Sequence, residues 1–110
     1  MTEDEAKEEL ALRVTATEDP ELDDDQLVSC LRFARRPDSE DRDYTDADWD
    51  PVWDLDAACA EAWRRKAGIA ANRFNFAEDS QRFDRAQIYA HCIAMADQYA
   101  RRSMGAIPTS

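Results

Sequence analysis

The stretch from Trp63 to Met95, WRRKAGIAANRFNFAEDSQRFDRAQIYAHCIAM, constrains the fold more than any other part of the chain. Two runs of strong helix formers flank a short polar turn, with a single glycine and no proline between them. The whole chain has 2 glycines and 4 prolines, too few for a turn-rich β protein. The prediction is an all-α fold: one small bundle of about four helices, with an acidic, aromatic-containing loop and an extended C-terminal tail.

A chain of 110 residues supports one domain with one modest core. We read residues 1–21 as an acidic helix and linker, 22–104 as the core and 105–110 as the tail. The N-terminus, MTEDEAKEEL, is acidic, unlike a secretory or mitochondrial leader, and no apolar run approaches the roughly 18 residues a membrane span needs. The expectation is a soluble protein. Cys30, Cys59 and Cys92 are far apart, lack CxxC spacing and fall in helix-like runs, so they read as reduced, buried thiols. No two candidate ligands have finger-like spacing, and adjacent helical positions such as His91 and Cys92 point about 100° apart. No metal or other cofactor is expected.

The net charge of −11 is unevenly placed. Residues 1–56 carry 20 Asp/Glu against 6 Lys/Arg, a net of −14; residues 57–110 carry 5 against 8, a net of +3. Such asymmetry fits acidic-to-basic contact between copies, an acidic face presented to another molecule, or a solvated surface that aids solubility.

Along the chain, residues 3–16 predict a helix with glutamates at its positive end and a thin apolar stripe, Ala6, Leu10 and Val14. So thin a stripe leans on another surface or frays. Pro20 breaks the run. Asp23, Asp24 and Asp25 offer an N-cap for a helix to Arg36, buried along Leu27, Val28, Leu31 and Ala34, with Arg32, Arg35 and Arg36 complementing its negative end. Residues 37–54 form an acidic loop bearing Tyr44, Trp49 and Trp53, which dock on the core or on a neighbour. Asp46, Asp48 and Asp50 mimic the start of a calcium loop, but Pro51 stands where glycine is needed and Ala57 where glutamate is needed.

A third helix, capped by Asp54 or Asp56, is predicted to about Arg73. Its apolar side collects Leu55, Cys59, Ala62, Trp63, Ile69, Ala70 and Phe74, and its polar side Glu61, Arg64, Arg65, Gly68 and Asn72. Lys66 and Arg73 are misplaced on the apolar side, where unpaired charge is intolerable. They are expected to reach an edge, or to pair with carboxylates of the acidic half or of another subunit. Phe74, Phe76 and Phe83 anchor the following turn. Ser80 or Asp84 caps a fourth helix to about Ser103, with Ile88, Tyr89, Cys92, Ile93, Met95, Ala96, Tyr99 and Ala100 inward. Gln87, His91, Asp97, Gln98, Arg101 and Arg102 face outward, so His91 is a surface or structural histidine without a nucleophile to serve.

Catalytic signatures are missing from the sequence. Two isolated glycines make no phosphate loop, and there is no HExxH or GxSxG. Specific DNA binding is disfavoured by the negative charge, despite RRK at 64–66 and RR at 101–102. The expectation is a protein that is not an enzyme.

One family pattern does emerge. ARRPD (34–38), Trp49 and Trp53, AAxAEAWRRKAG (57–68, with Cys59 at x), FNFAEDSQRFDRAQ (74–87) and HCIAMADQYARR (91–102) together resemble the small head-to-tail connector proteins of long-tailed phages, in the version common in actinobacterial phages and prophages. The resemblance covers roughly residues 22–104; the first helix lies outside it. It implies a virion protein made in the host cytoplasm, forming a homo-oligomeric ring beneath the portal protein. Such a ring extends the DNA channel without binding DNA specifically, and docks a downstream stopper or tail protein. In that family C-terminal segments commonly reach into the portal, a role that would fall here on residues 103–110. Candidate subunit or portal contacts are therefore Trp49, Trp53, Lys66, Arg73, Arg82, Arg85, Arg101 and Arg102, with Met104, Ile107 and Pro108 in the tail. A rival reading of the acidic half is a DNA mimic that inhibits a nucleic-acid enzyme; a third is a plain helical interaction domain.

Overall fold

The computed structural model describes the backbone of residues 1–75 and 79–105 and the side chains of residues 1–73 and 84–103. Among the described residues there are four helices, α1 (Glu3–Arg13), α2 (Asp24–Phe33), α3 (Leu55–Asn75) and α4 (Asp79–Gly105). One short antiparallel sheet, β1 (Arg35–Arg36) and β2 (Val52–Trp53), lies between α2 and α3. The all-α expectation holds.

α1 starts in a reciprocal cap: the Glu5 N–H donates to Thr2 Oγ1 at 3.2 Å, and the Thr2 N–H donates to Glu5 Oε1 at 3.1 Å. Glu3, Asp4 and Glu5 sit in its first turn, where the helix dipole favours negative charge. The thin stripe does lean on other elements: Ala6, Leu10 and Val14 are fully buried where α1 packs on α2 and α3. The helix stops at Arg13, short of residue 16. Thr15 adopts a left-handed φ of 48°, and the Ala16 N–H turns back to the Ala11 carbonyl at 3.0 Å.

Asp23 caps α2 by accepting the Gln26 N–H at 2.8 Å. Its buried face is Leu27, Cys30 and Leu31, continued by Ala34, with Val28 only half-buried. The expected run to Arg36 is corrected. Pro37 forces the preceding residue out of helical geometry, and Arg35 and Arg36 pair instead with Trp53 and Val52. The Asp54 N–H completes the joint on the Ala34 carbonyl at 2.9 Å.

α3 begins where Asp54 Oδ1 accepts the Ala57 N–H at 3.0 Å, so Asp54 rather than Asp56 is the cap. Its inner face is dominated by small side chains: Ala58, Cys59, Ala60, Ala62, Ala67 and Ala70, with Trp63 among them. These allow α4 to approach closely along its length, and the α3–α4 pairing is the largest in the molecule. The pair is antiparallel: Ser103 Oγ near the end of α4 donates to Asp54 Oδ2 at the start of α3, at 2.6 Å. α4 begins at Asp79, so Ser80 and Asp84 lie inside the helix and neither is its cap. Cys92, Ala96 and Tyr99 are buried against α3, while Tyr89 is 42% exposed, contrary to its inward assignment. The phenylalanine anchors, Phe74, Phe76 and Phe83, lie outside the described side chains.

Candidate functional site

Among the described residues two charged side chains are buried, Lys66 and Asp38, and each organises a region. Lys66 projects from α3 between α1 and α4 and is 1% exposed. Its Nζ donates to the Val14 carbonyl at 2.8 Å, the Thr15 carbonyl at 3.0 Å and Thr15 Oγ1 at 3.2 Å, and lies 4.6 Å from the centre of the Trp63 ring. The expected edge position or carboxylate partner for Lys66 is overturned. The Val14 and Thr15 carbonyls and the Thr15 hydroxyl take all three ammonium hydrogens, so the residue is a helix cap supplied from another helix. Burial lowers its pKa below the ordinary lysine value, and the nearby charges of Glu18 and Asp19 only partly offset that. A cleft of about 220 Å³ opens beside it, walled by Trp63, His91, Ile88 and Pro20. His91 stands edge-on to Trp63 at 5.5 Å between ring centres.

Arg73 does find the acidic half: its guanidinium hydrogen-bonds Asp19 in the α1–α2 connection, and Arg85 of α4 approaches the same carboxylate at 3.5 Å. The Arg73 hydrogen bond holds Asp19 below the usual carboxylate range. Lys66, Arg73 and Arg85 therefore all tie the connection after α1 to the α3–α4 pair, and Lys66 has no surface left to offer a second subunit.

Asp38 organises the acidic loop. Its carboxylate accepts the backbone N–H of Glu40 and Arg42 at 2.9 Å, that of Asp50 at 3.0 Å, and Arg42 Nε at 2.9 Å. The Asp50 N–H contributes most to holding the acid well below its ordinary pKa. Trp49 donates Nε1–H to the Arg36 carbonyl at 3.0 Å and packs edge-to-face on Trp53 at 6.1 Å. Both tryptophans are half-buried on their own chain, and Arg35 lies 3.7 Å over the Tyr44 ring. Exposed carboxylates of Glu40, Asp41, Asp43, Asp46 and Asp48 decorate this locked loop.

Arg101 and Arg102 remain at the outer end of α4, both exposed, with Arg102 lying 4.9 Å over Tyr99. Arg82 and Met104 fall within α4, but their side chains lie outside the described residues, as do Ile107 and Pro108 altogether. Neither the Asp38 hub nor the Thr2 cap was singled out by sequence reasoning. For Thr2 the signal was present, a threonine three residues before a glutamate.

All three thiols are buried and unpaired, and burial pushes Cys30 up to about 11 and Cys59 up to about 12. Among the described residues no group of three His, Cys, Asp or Glu could hold a metal ion, and no helix is long and apolar enough to cross a membrane. Comparison with protein-family models, curated proteins and solved structures finds no match.

Proposed function

We propose that this chain is a structural subunit, a head-to-tail connector that forms a ring between a portal protein and a tail or head-completion protein. The observation that carries the reading is exposed charge of both signs that finds no partner among the described residues. Nine cations, Lys7, Arg13, Arg32, Arg36, Arg42, Arg64, Arg65, Arg73 and Arg85, pair with carboxylates inside the chain. Arg35, Lys66, Arg101 and Arg102 form no ion pair among the described residues, although the chain has 25 carboxylates. Arg35 lies over Tyr44 and Lys66 is buried on carbonyls, so Arg101 and Arg102 are the exposed pair. Asp4, Glu5 and Glu8 on α1 and Asp41, Asp43, Asp46, Asp48 and Asp50 of the 37–54 loop are exposed and form no ion pair among the described residues. A ring needs two different, complementary surfaces on every protomer, and unpaired exposed charge of both signs supports that reading. An acidic lining would also let DNA pass without phosphate contacts that hold it.

The purified protein mixed with portal protein, viewed by negative-stain imaging or mass photometry, is expected to show rings on the portal. A monomer indifferent to portal overturns the reading. The rigid, carboxylate-studded loop around Asp38 is what favours the second reading, a DNA mimic. Salt-sensitive binding to a nucleic-acid enzyme, without ring formation, is its expected signature.

A further inference from the structure

Leu12 is the most exposed large apolar side chain among the described residues, at 76%. It stands on the outward face of α1 in line with Glu8 and Glu5, four and seven residues earlier, both exposed. α4 carries a matching outward row: Ala94, Gln98 and Arg101 are exposed and separated by the same four and three residues. At 1.5 Å rise per residue, each row runs about 10 Å. Laid antiparallel, Leu12 meets Ala94, Glu8 meets Gln98, Glu5 meets Arg101, and Asp4 reaches Arg102.

Each contact suits its partner chemically. Ala90 and Ala94 are both exposed, and such small side chains admit a helix closely, leaving a seat for a leucine. Arg101 and Arg102, which form no ion pair among the described residues, meet carboxylates that form none there either. Asp97 falls opposite Glu9, whose charge Arg13 already neutralises at 2.9 Å. The two rows cannot satisfy each other within one molecule, because α1 packs on α2 and α3 with Leu12 turned to solvent. We infer that the outward face of α1 docks antiparallel on the outward face of α4 of a second copy, making a head-to-tail contact that repeats from copy to copy. This rests on the ring reading above and names the surfaces that would build it. A heterologous contact of this kind propagates until it closes.

The test is a pair of cysteines, Leu12→Cys with Ala94→Cys, in the full chain under mild oxidation. The three native thiols are buried with raised pKa values and stay out of the exchange. The expected result is a ladder of covalent oligomers from the double variant and none from either single variant. Dimers from Ala94→Cys alone would mean that α4 pairs with itself, and overturn the inference. So would a double variant that stays monomeric. As a second measurement, Arg101→Glu with Arg102→Glu should weaken assembly about tenfold or more with helical content unchanged, and added Asp4→Lys and Glu8→Lys should restore it. Rings on the portal without a ladder would remove this interface and leave the connector reading standing. A ladder from a protein indifferent to portal would do the reverse.

Discussion

Lys66 and Asp38 are the two buried charged side chains among the described residues, and they are satisfied in opposite ways. Lys66 meets the end of a helix some fifty residues away in sequence, whereas Asp38 gathers three N–H groups and a guanidinium, all from within residues 40–50. One buried charge joins elements; the other shapes a loop. Neither depends on a buried counter-ion alone, since backbone dipoles supply most of what water would have given. The connection between α1 and α2 is therefore tied to the bundle core, while the acidic loop is an internally rigid attachment to it.

That contrast is broken most severely at Lys66. Lys66→Met keeps the aliphatic stem but removes the ammonium from the Val14 and Thr15 carbonyls, which keep only the Thr15 hydroxyl and the Glu18 N–H as donors. Thr15 still holds a left-handed φ that a β-branched residue adopts at a cost. Losing one partner of a buried charged hydrogen-bonding group costs about 2–4 kcal/mol, a fall in Tm on the order of 10–20 °C for a domain of this size. Lys66→Glu, which places a carboxylate against those carbonyls, should not fold. Circular dichroism melting checks both. A Lys66→Met protein that melts like the parent would show that the cap contributes nothing.

At the loop, Asp38→Asn should produce a smaller effect with a different shape. The asparagine keeps one acceptor oxygen, so Tm should fall by only a few degrees. The Trp49 environment and the protease resistance of residues 38–50 should change more than helical content does. The pH dependence follows from the same geometry. The folded Asp38 pKa lies below the ordinary value of about 3.9, so the unfolded chain binds the proton first. Its contribution to stability is present above that pH and is lost as pH falls through the carboxylate range toward the folded value. Asp19 and Asp54 act in the same direction. For Asp54, burial would raise the pKa, but the hydrogen bonds from Ser103 and Ala57 and the charge of Arg36 outweigh it. Asp38→Asn should therefore flatten part of the acid limb of the stability curve. An acid limb identical in both proteins would remove Asp38 from that account.

These two centres differ in how far the sequence exposes them. The 100° spacing places Lys66 on the inward side of α3 and marks it as an anomaly. Its acceptors stayed hidden because they are backbone carbonyls at a helix end, which carry no residue signature. Asp38 is one of 25 acids, and nothing local distinguishes it from Asp41 or Asp43. Helix starts were legible where a cap sits directly before an apolar run, as at Asp23 and Asp54. The end of α2 was misread because Arg35 and Arg36 suit a helix C-terminus as well as a strand. Pairing with Val52 and Trp53, sixteen and more residues on, settled the choice. The outward side of α4 was legible because Gln87, His91, Asp97, Gln98, Arg101 and Arg102 recur at helical spacing, and all six are exposed.

The mildest perturbation is at Arg73, which the sequence groups with Lys66 and the structure separates from it. Its guanidinium is paired with Asp19 near the surface, where solvent competes and Arg85 can take over the same carboxylate. Exposed ion pairs contribute about 0–1 kcal/mol, so Arg73→Gln should lower Tm by at most a few degrees, and less still at high salt. The double variant Arg73→Gln with Arg85→Gln should cost more than the two single changes together, because each arginine backs up the other on one acid. Melting curves of the three variants at low and high salt decide this. Strict additivity would mean that Asp19 does not bridge α3 and α4, and that Lys66 alone holds the end of α1 to the bundle.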